Sequence, residues 1–138
     1  GKISRLLSIQ KTALLEMETD DIAVLIGETE SGAIVDLYFD FLDRSNRRRI
    51  ELIGSNGTAV WTLDSQHTAS LHTAETPEST IVRSRFDWDS CYVDSIRNFF
   101  MSIEHDTPLE TDGWNGLSTQ RVLEMAARSN RTGAMVSR

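Results

Sequence analysis

The hydrophobic period of this sequence changes once, near residue 87, and that change limits the folds open to it. Before residue 87 the apolar positions alternate or run together in short stretches bounded by turn residues, as strands do. After it they recur every three or four residues, as amphipathic helices do. Strands first and helices afterwards predict an α+β fold: a mainly antiparallel, open-faced sheet with the C-terminal helices packed on one face.

Ile3 to Thr12 reads as the first strand. Ile22 to Ile26 is a continuous apolar run that predicts burial on both faces. After a turn at Ser31-Gly32, Ala33 to Leu42 alternates cleanly. Leu37, Phe39 and Phe41 share one face, and Asp36, Tyr38 and Asp40 share the other. Arg48 to Gly54 and Thr58 to Leu63 flank Ser55-Asn56-Gly57 and predict a hairpin. Two weaker strands are expected near His67 to Thr73 and Thr80 to Phe86. Trp88, Tyr92, Ile96, Phe99, Phe100 and Ile103 form a helical stripe, with Asp87 or Asp89 as its N-cap and Pro108 beyond its end. A second helix is expected from about Gly116 to Asn130. Its inner stripe is Val122, Met125, Ala126 and Ser129, and Gly133 closes it. The expected core comprises Leu37, Phe39, Phe41, Ile96, Phe99, Phe100, Val122 and Ala126.

The 138 residues fit one domain, 1–138, large enough to bury a core without staples. A net charge of −7 argues against a nucleic-acid partner, which relies on a basic surface. The single cysteine, Cys91, excludes an internal disulfide and fits a reducing compartment. No apolar run reaches the ~20 residues that a membrane-spanning helix needs. A cytoplasmic protein without membrane contact is the expectation. The chain opens Gly1-Lys2-Ile3 without a methionine, which reads as part of a longer or processed protein.

Signatures of chemistry are sparse. There is no Gly-x-Gly-x-x-Gly turn and no Walker-type loop, and Gly54-Ser55-Asn56-Gly57 joins two strands without opening a helix. His67, His72 and His105 give no metal set, and Cys91, with no histidine near it in sequence, reads as a buried apolar thiol rather than a nucleophile. Two constellations stand out. Asp36, Tyr38 and Asp40 line one strand face, and carboxylates beside an aromatic ring suit sugar binding or acid–base work; a solvated sheet face is the simpler reading. Arg44, Arg47, Arg48 and Arg49 crowd the next turn. They form either a clamp for a phosphate or carboxylate, or a charged turn balancing Asp40, Asp43 and Glu51.

Three segments, in order, resemble the C-terminal domain of the Gfo/Idh/MocA family, named for glucose-fructose oxidoreductase and inositol dehydrogenase. "ETESGAIVDLYFDFLDRSNRRRIELIGSNGTAVW" is similar to that family's strand, arginine-bearing turn and Gly-x-x-Gly-Thr hairpin. "CYVDSIRNFFMSIEHDTPLETDGWNGL" is similar to its late helix, Pro-bearing loop and Asp-Gly-x-x-Gly helix start. "EMAARSNRTG" resembles its closing helix. The resemblance runs from about Asp21 to Gly133. It implies an NAD(P)-dependent oxidoreductase acting on a sugar, nucleotide sugar or cyclitol, whose Rossmann domain precedes this one. Lys2 and Lys11 do not sit in the family's Glu-Lys-Pro context, so no catalytic residue carries over. This chain alone is expected to bind neither cofactor nor metal and to be inactive. NAD or NADP is implied for the full-length protein. Arg44 and Arg47 are the substrate-binding candidates, and Asp36, Tyr38 and Asp40 the candidates for a homo-oligomer interface through the sheet face. A free-standing carbohydrate-binding or protein-interaction module is the alternative, and a small glycoside hydrolase a third reading.

Overall fold

The computed structural model describes residues 1–12, 15–45, 48–63, 68–75, 80–83, 87–109 and 111–138. In chain order the elements are β1 (Ile3–Lys11), β2 (Ile22–Thr29), β3 (Ile34–Asp40), β4 (Arg48–Gly54), β5 (Gly57–Leu63), β6 (Thr68–Thr73), β7 (Thr80–Arg83), α1 (Trp88–His105), α2 (Gly113–Thr132) and β8 (Val136–Ser137). The fold is α+β and every described strand pairing is antiparallel, as the sequence predicts. The strands form two sheets of four, ordered β3-β2-β1-β8 and β4-β5-β6-β7. The chain divides into two compact units, Gly1–Leu42 with Pro108–Arg138, and Asp43–Thr107.

In the first unit α2 lies on β1 and β8. Asp112 caps it by accepting from the Asn115 N–H at 2.9 Å, and Gly133, at φ 64°, ends it in the left-handed conformation that suits glycine. Met125, Ala126 and Ser129 face the sheet, where Leu6, Leu25, Met125, Ala126 and Val136 form the buried cluster. The strand β8 pairs with Arg5 and Leu6, and beyond them that β1 edge has no neighbouring strand among the described residues. Two side chains of α2 take its place. The Ser8 N–H donates to Ser129 Oγ at 2.9 Å, and the Gln10 N–H donates to Asn130 Oδ1 at 2.8 Å. Ser129 Oγ in turn donates to the Ala134 carbonyl at 2.7 Å. The Ser-Asn pair of the closing helix thus satisfies backbone groups that would otherwise lack partners.

At one end of this sheet Asp21 is almost fully buried and ties three segments together. Its N–H donates to the Lys11 carbonyl, its carbonyl accepts from the Phe41 N–H, and its carboxylate accepts from the Leu15 N–H at 2.8 Å.

Burial departs from expectation in both units. The second strand is not buried on both faces: Leu25 and Gly27 are buried toward α2, whereas Ile26 is 51% exposed. Leu37 and Phe39, paired with Leu25 and Ala23, do lie on the α2 side but remain exposed. Strands sit ~4.8 Å apart and a helix is about 10 Å wide, so a helix centred over β1 stops short of β3, two strands away. Phe41, beyond the end of β3, is exposed as well.

The second unit is a four-stranded meander followed by α1. The β4–β5 hairpin turns at Ser55-Asn56. Gly57 stands at φ 152°, where a Cβ would come within 2.2 Å of the His72 carbonyl oxygen, so only glycine fits. Asp87 caps α1, accepting from the Asp89 and Ser90 N–H groups. Cross-strand register puts Ile50, Trp61 and Val82 on one face with Leu52 and Leu71, and all five are exposed. Ile96, Phe99, Phe100 and Ile103 on α1 are exposed too. The stripe is therefore present, but among the described residues α1 has no packing on β4–β7 comparable to that of α2 on β1. Of the expected core, Ala126 is buried and Val122 half-buried.

Candidate functional site

Register fixes the surroundings of Asp36, Tyr38 and Asp40. Their partners on β2 are Ile26, Val24 and Ile22, which in turn oppose Leu7, Ile9 and Lys11 of β1. All of these point away from α2, onto the open side of the sheet. Asp36 and Tyr38 are exposed, Tyr38 at 64%, and Asp40 is half-buried with its carboxylate accepting from the Leu42 N–H at 2.7 Å. Ile9, Ile26 and Ile34 are exposed on the same face. The result is an apolar strip with one aromatic ring and two carboxylates. The acidic pair lies at the β3 edge, and Arg5 binds Glu28 across the β1–β2 pair.

The arginine cluster does not converge among the described residues. Arg44 is exposed in a turn where Asp43 Oδ1 accepts from the Ser45 N–H at 2.8 Å. Arg48 and Arg49 are consecutive strand residues and so point to opposite faces, and Arg49 is paired with Glu51 at 2.8 Å. Arg47 lies outside the described residues, as does His67.

Cys91 is exposed, not buried. It falls beside Asp94, Ser95 and Asn98 on the polar side of α1, one position off the apolar stripe. His72 is exposed on β6 and His105 ends α1. Among the described residues no group of three histidine, cysteine, aspartate or glutamate side chains is placed to hold a metal ion. A dinucleotide is also a poor fit. Among the described residues the strands pair only antiparallel, so there is no parallel switch point. The N-termini of α1 and α2 already hold the carboxylates of Asp87 and Asp112, where a pyrophosphate would need open N–H groups.

A further concavity lies within the first unit. An open groove of about 420 Å³ runs between the start of β1 and the first half of α2. Its floor is Ile3, Val122 and Met125, and its rim carries Lys2, Arg121, Arg138, Asn115, Ser118 and Thr119. Val122 and Met125 belong to the apolar stripe of α2, and one helical period upward the same face continues as Asn115, Ser118 and Thr119, whose polarity hides them from hydrophobic periodicity. Lys2 and Arg138 join them through β1–β8 pairing, which no local pattern announces.

Comparison with known proteins gives a consistent result. A family model described as "Oxidoreductase family, C-terminal alpha/beta domain" matches residues 8–137. No curated protein matches the chain. Among solved structures, an oxidoreductase from Agrobacterium radiobacter in complex with NAD+, L-tartaric acid and magnesium shares 16% identity at a TM-score of 0.83, covering 99% of this chain and 44% of that one. The WlbA dehydrogenase from Bordetella pertussis, in complex with NADH and UDP-GlcNAcA, shares 18% identity at a TM-score of 0.76, covering 100% and 41%. A levoglucosan dehydrogenase in complex with NADH and levoglucosan shares 13% identity at a TM-score of 0.90, covering 99% and 45%. The chain spans less than half the length of these structures. At such identities the likeness is one of fold.

Proposed function

Because the chain belongs to the Gfo/Idh/MocA oxidoreductases, as their C-terminal alpha/beta domain, we propose that residues 1–138 act as the substrate-side and subunit-contact domain of an NAD(P)-dependent oxidoreductase for a sugar, nucleotide sugar or cyclitol. The family match over residues 8–137 carries this reading. The complexes of similar fold with NADH and UDP-GlcNAcA or levoglucosan, and with NAD+ and L-tartaric acid, support it. Nicotinamide chemistry is assigned to a preceding nucleotide-binding domain, since nothing among the described residues here fits a dinucleotide. The role of this chain is to wall the substrate and to hold copies together. Arg44 and Arg47 are proposed to face an anionic or hydroxyl-rich substrate, where a guanidinium offers several donors in a fixed plane.

The open face bearing Asp36, Tyr38 and Asp40 is proposed as the contact with a second copy. Tyrosine and isoleucine supply apolar area there. Asp36 and Asp40 flank Tyr38 on the edge strand β3 and are proposed to stay solvated at the border of that contact while the tyrosine ring reaches into it.

Two measurements test this. The gene sequence upstream of Gly1 should encode a glycine-rich βαβ unit, and its absence would overturn the oxidoreductase reading. Sedimentation of the full-length protein should show an oligomer that Tyr38→Glu dissociates. A monomer at all concentrations, or an assembly that ignores the substitution, removes the interface from the proposal.

A further inference from the structure

We infer that Asn56, at the tip of the β4–β5 hairpin, is a modification site at which the chain converts itself to isoaspartate through a cyclic succinimide. The inference does not rest on the family reading. The sequence carries two Asn-Gly dipeptides, Asn56-Gly57 and Asn115-Gly116. Both asparagines are exposed, and each is followed by the one residue whose missing side chain leaves its amide nitrogen open to approach a carbonyl. Sequence alone therefore ranks them equally. The fold does not. Asn115 lies in the first turn of α2, where its N–H donates to Asp112 Oδ1 at 2.9 Å and its carbonyl accepts from Thr119 Oγ1 at 3.2 Å. The Gly116 N–H, whose nitrogen would be the nucleophile, donates to the Asp112 carbonyl at 3.2 Å. Turning that nitrogen toward the Asn115 side chain takes the backbone out of the helical range and breaks these bonds together.

Asn56 and Ser55 are the loop that joins β4 to β5, and neither belongs to a strand. Rotating a peptide unit there disturbs only the end of a ladder, where opening costs least. The side-chain carbonyl of Asn56 accepts from Ser55 Oγ at 3.3 Å, a bond that draws electrons from Cγ and favours attack on it. The step consumes only water. The Gly57 nitrogen gives its proton to base and bonds to Cγ, and the Cγ–Nδ2 bond breaks as ammonia leaves. Water then opens the ring. Attack at Cγ gives aspartate, and attack at the main-chain carbonyl gives isoaspartate, whose backbone runs on through the side-chain carbons. Either product adds a negative charge, and isoaspartate also lengthens the main chain of the loop by a carbon. Gly57 cannot slide to absorb it, because its Cα packs so closely on β6 that a Cβ would meet the His72 carbonyl oxygen at 2.2 Å. The mismatch therefore falls on the β4 side of the turn, at Ile53 and Gly54, which pair with Thr58 and Gly57.

Peptide mapping by mass spectrometry, on protein aged in warm neutral buffer, tests the inference. Residue 56 should gain the mass of water less ammonia, and an isoaspartyl methyltransferase with labelled S-adenosylmethionine should label the peptide that holds it. In the folded protein Asn115 should react at least about tenfold more slowly than Asn56, whereas in urea, with no helix to hold Gly116, the two rates should converge. Asn56→Gln should remove the label from that peptide, because the longer side chain closes its larger ring far more slowly. Backbone φ at residue 56 lies outside the left-handed region, so the turn accepts glutamine and unchanged thermal melting is expected of this variant. Hydrogen exchange in the aged protein should quicken at Leu52 to Gly54 and stay as it was at Ser8 and Gln10. Equal rates at Asn56 and Asn115 in the folded protein, an Asn56 that stays intact where the urea-treated chain reacts, or a label on that peptide that survives Asn56→Gln would each overturn the site.

Discussion

The two units of this chain use the same ingredients and end differently. Each has a four-stranded antiparallel sheet with an apolar face and a helix with an apolar stripe. In the first unit the helix is docked and a cluster is buried beneath it. In the second, Ile50, Leu52, Trp61, Leu71 and Val82 on the sheet and Ile96, Phe99, Phe100 and Ile103 on the helix are all exposed. Apolar periodicity cannot account for this, because α1 is at least as apolar along its stripe as α2. The difference lies in the polar links. Ser129 and Asn130 of α2 reach residues 121 and 120 positions away on β1. Among the described residues the side-chain bonds of α1 are local: Asp87 to its first turn, Arg97 to Asp94, Ser102 to Thr107. An amphipathic stripe states which side of a helix avoids water, and directional bonds state where on a sheet that side goes.

Four substitutions press on this comparison. Leu6→Ala, at a residue 2% exposed in the middle of the cluster, should cost about 2–5 kcal/mol in urea unfolding, while Phe99→Ala, 49% exposed on α1, should cost less than ~1 kcal/mol. Similar losses at the two sites would mean that the stripe of α1 is covered in solution. Removing the anchor comes next. Ser129→Ala leaves the buried Ser8 N–H without its acceptor and should cost about 1–3 kcal/mol. Faster hydrogen exchange at Ser8 and Gln10 would locate the damage, and unchanged exchange there would contradict an anchoring role. The smallest effect runs the other way. Ser8 Oγ is buried with no hydrogen-bond partner among the described residues, so Ser8→Ala should leave stability equal or raise it by up to ~1 kcal/mol. A clear loss in melting experiments would reveal a partner for that hydroxyl.

Much of this architecture was legible in the sequence. Alternation gave the strands and the correct face for Asp36, Tyr38 and Asp40, and three-to-four periodicity with Asp87 and Gly133 located the helices, although α2 begins at Gly113 under an Asp112 cap instead of at the expected Gly116. Gly57 marked the hairpin because a side chain there would collide with the neighbouring strand. What could not be read was long-range pairing. The two-residue strand Val136–Ser137 is too short to leave a period, yet it determines which edge of β1 is closed and therefore where α2 sits. The burial forecast for Leu37, Phe39 and Phe41 failed for the same reason, since parity assigns a face but not how far a helix extends over it. The groove was missed because its cations come from residues 2, 121 and 138, whose meeting depends on that same closure.

The closure also sets an order of events during synthesis. The first unit is built from both ends of the sequence, whereas the second is one continuous stretch, Asp43–Thr107. At roughly 5–20 residues per second, on the order of ten seconds separate the emergence of β1 from that of β8. Throughout that interval the β4–β7 meander has its pairing partners at hand, but β1 has only β2 beside it and an unpaired outer edge. Such edges recruit foreign strands. Emergence of Pro108–Arg138 is then the step that closes this edge, and contacts so distant in sequence make it a slow one.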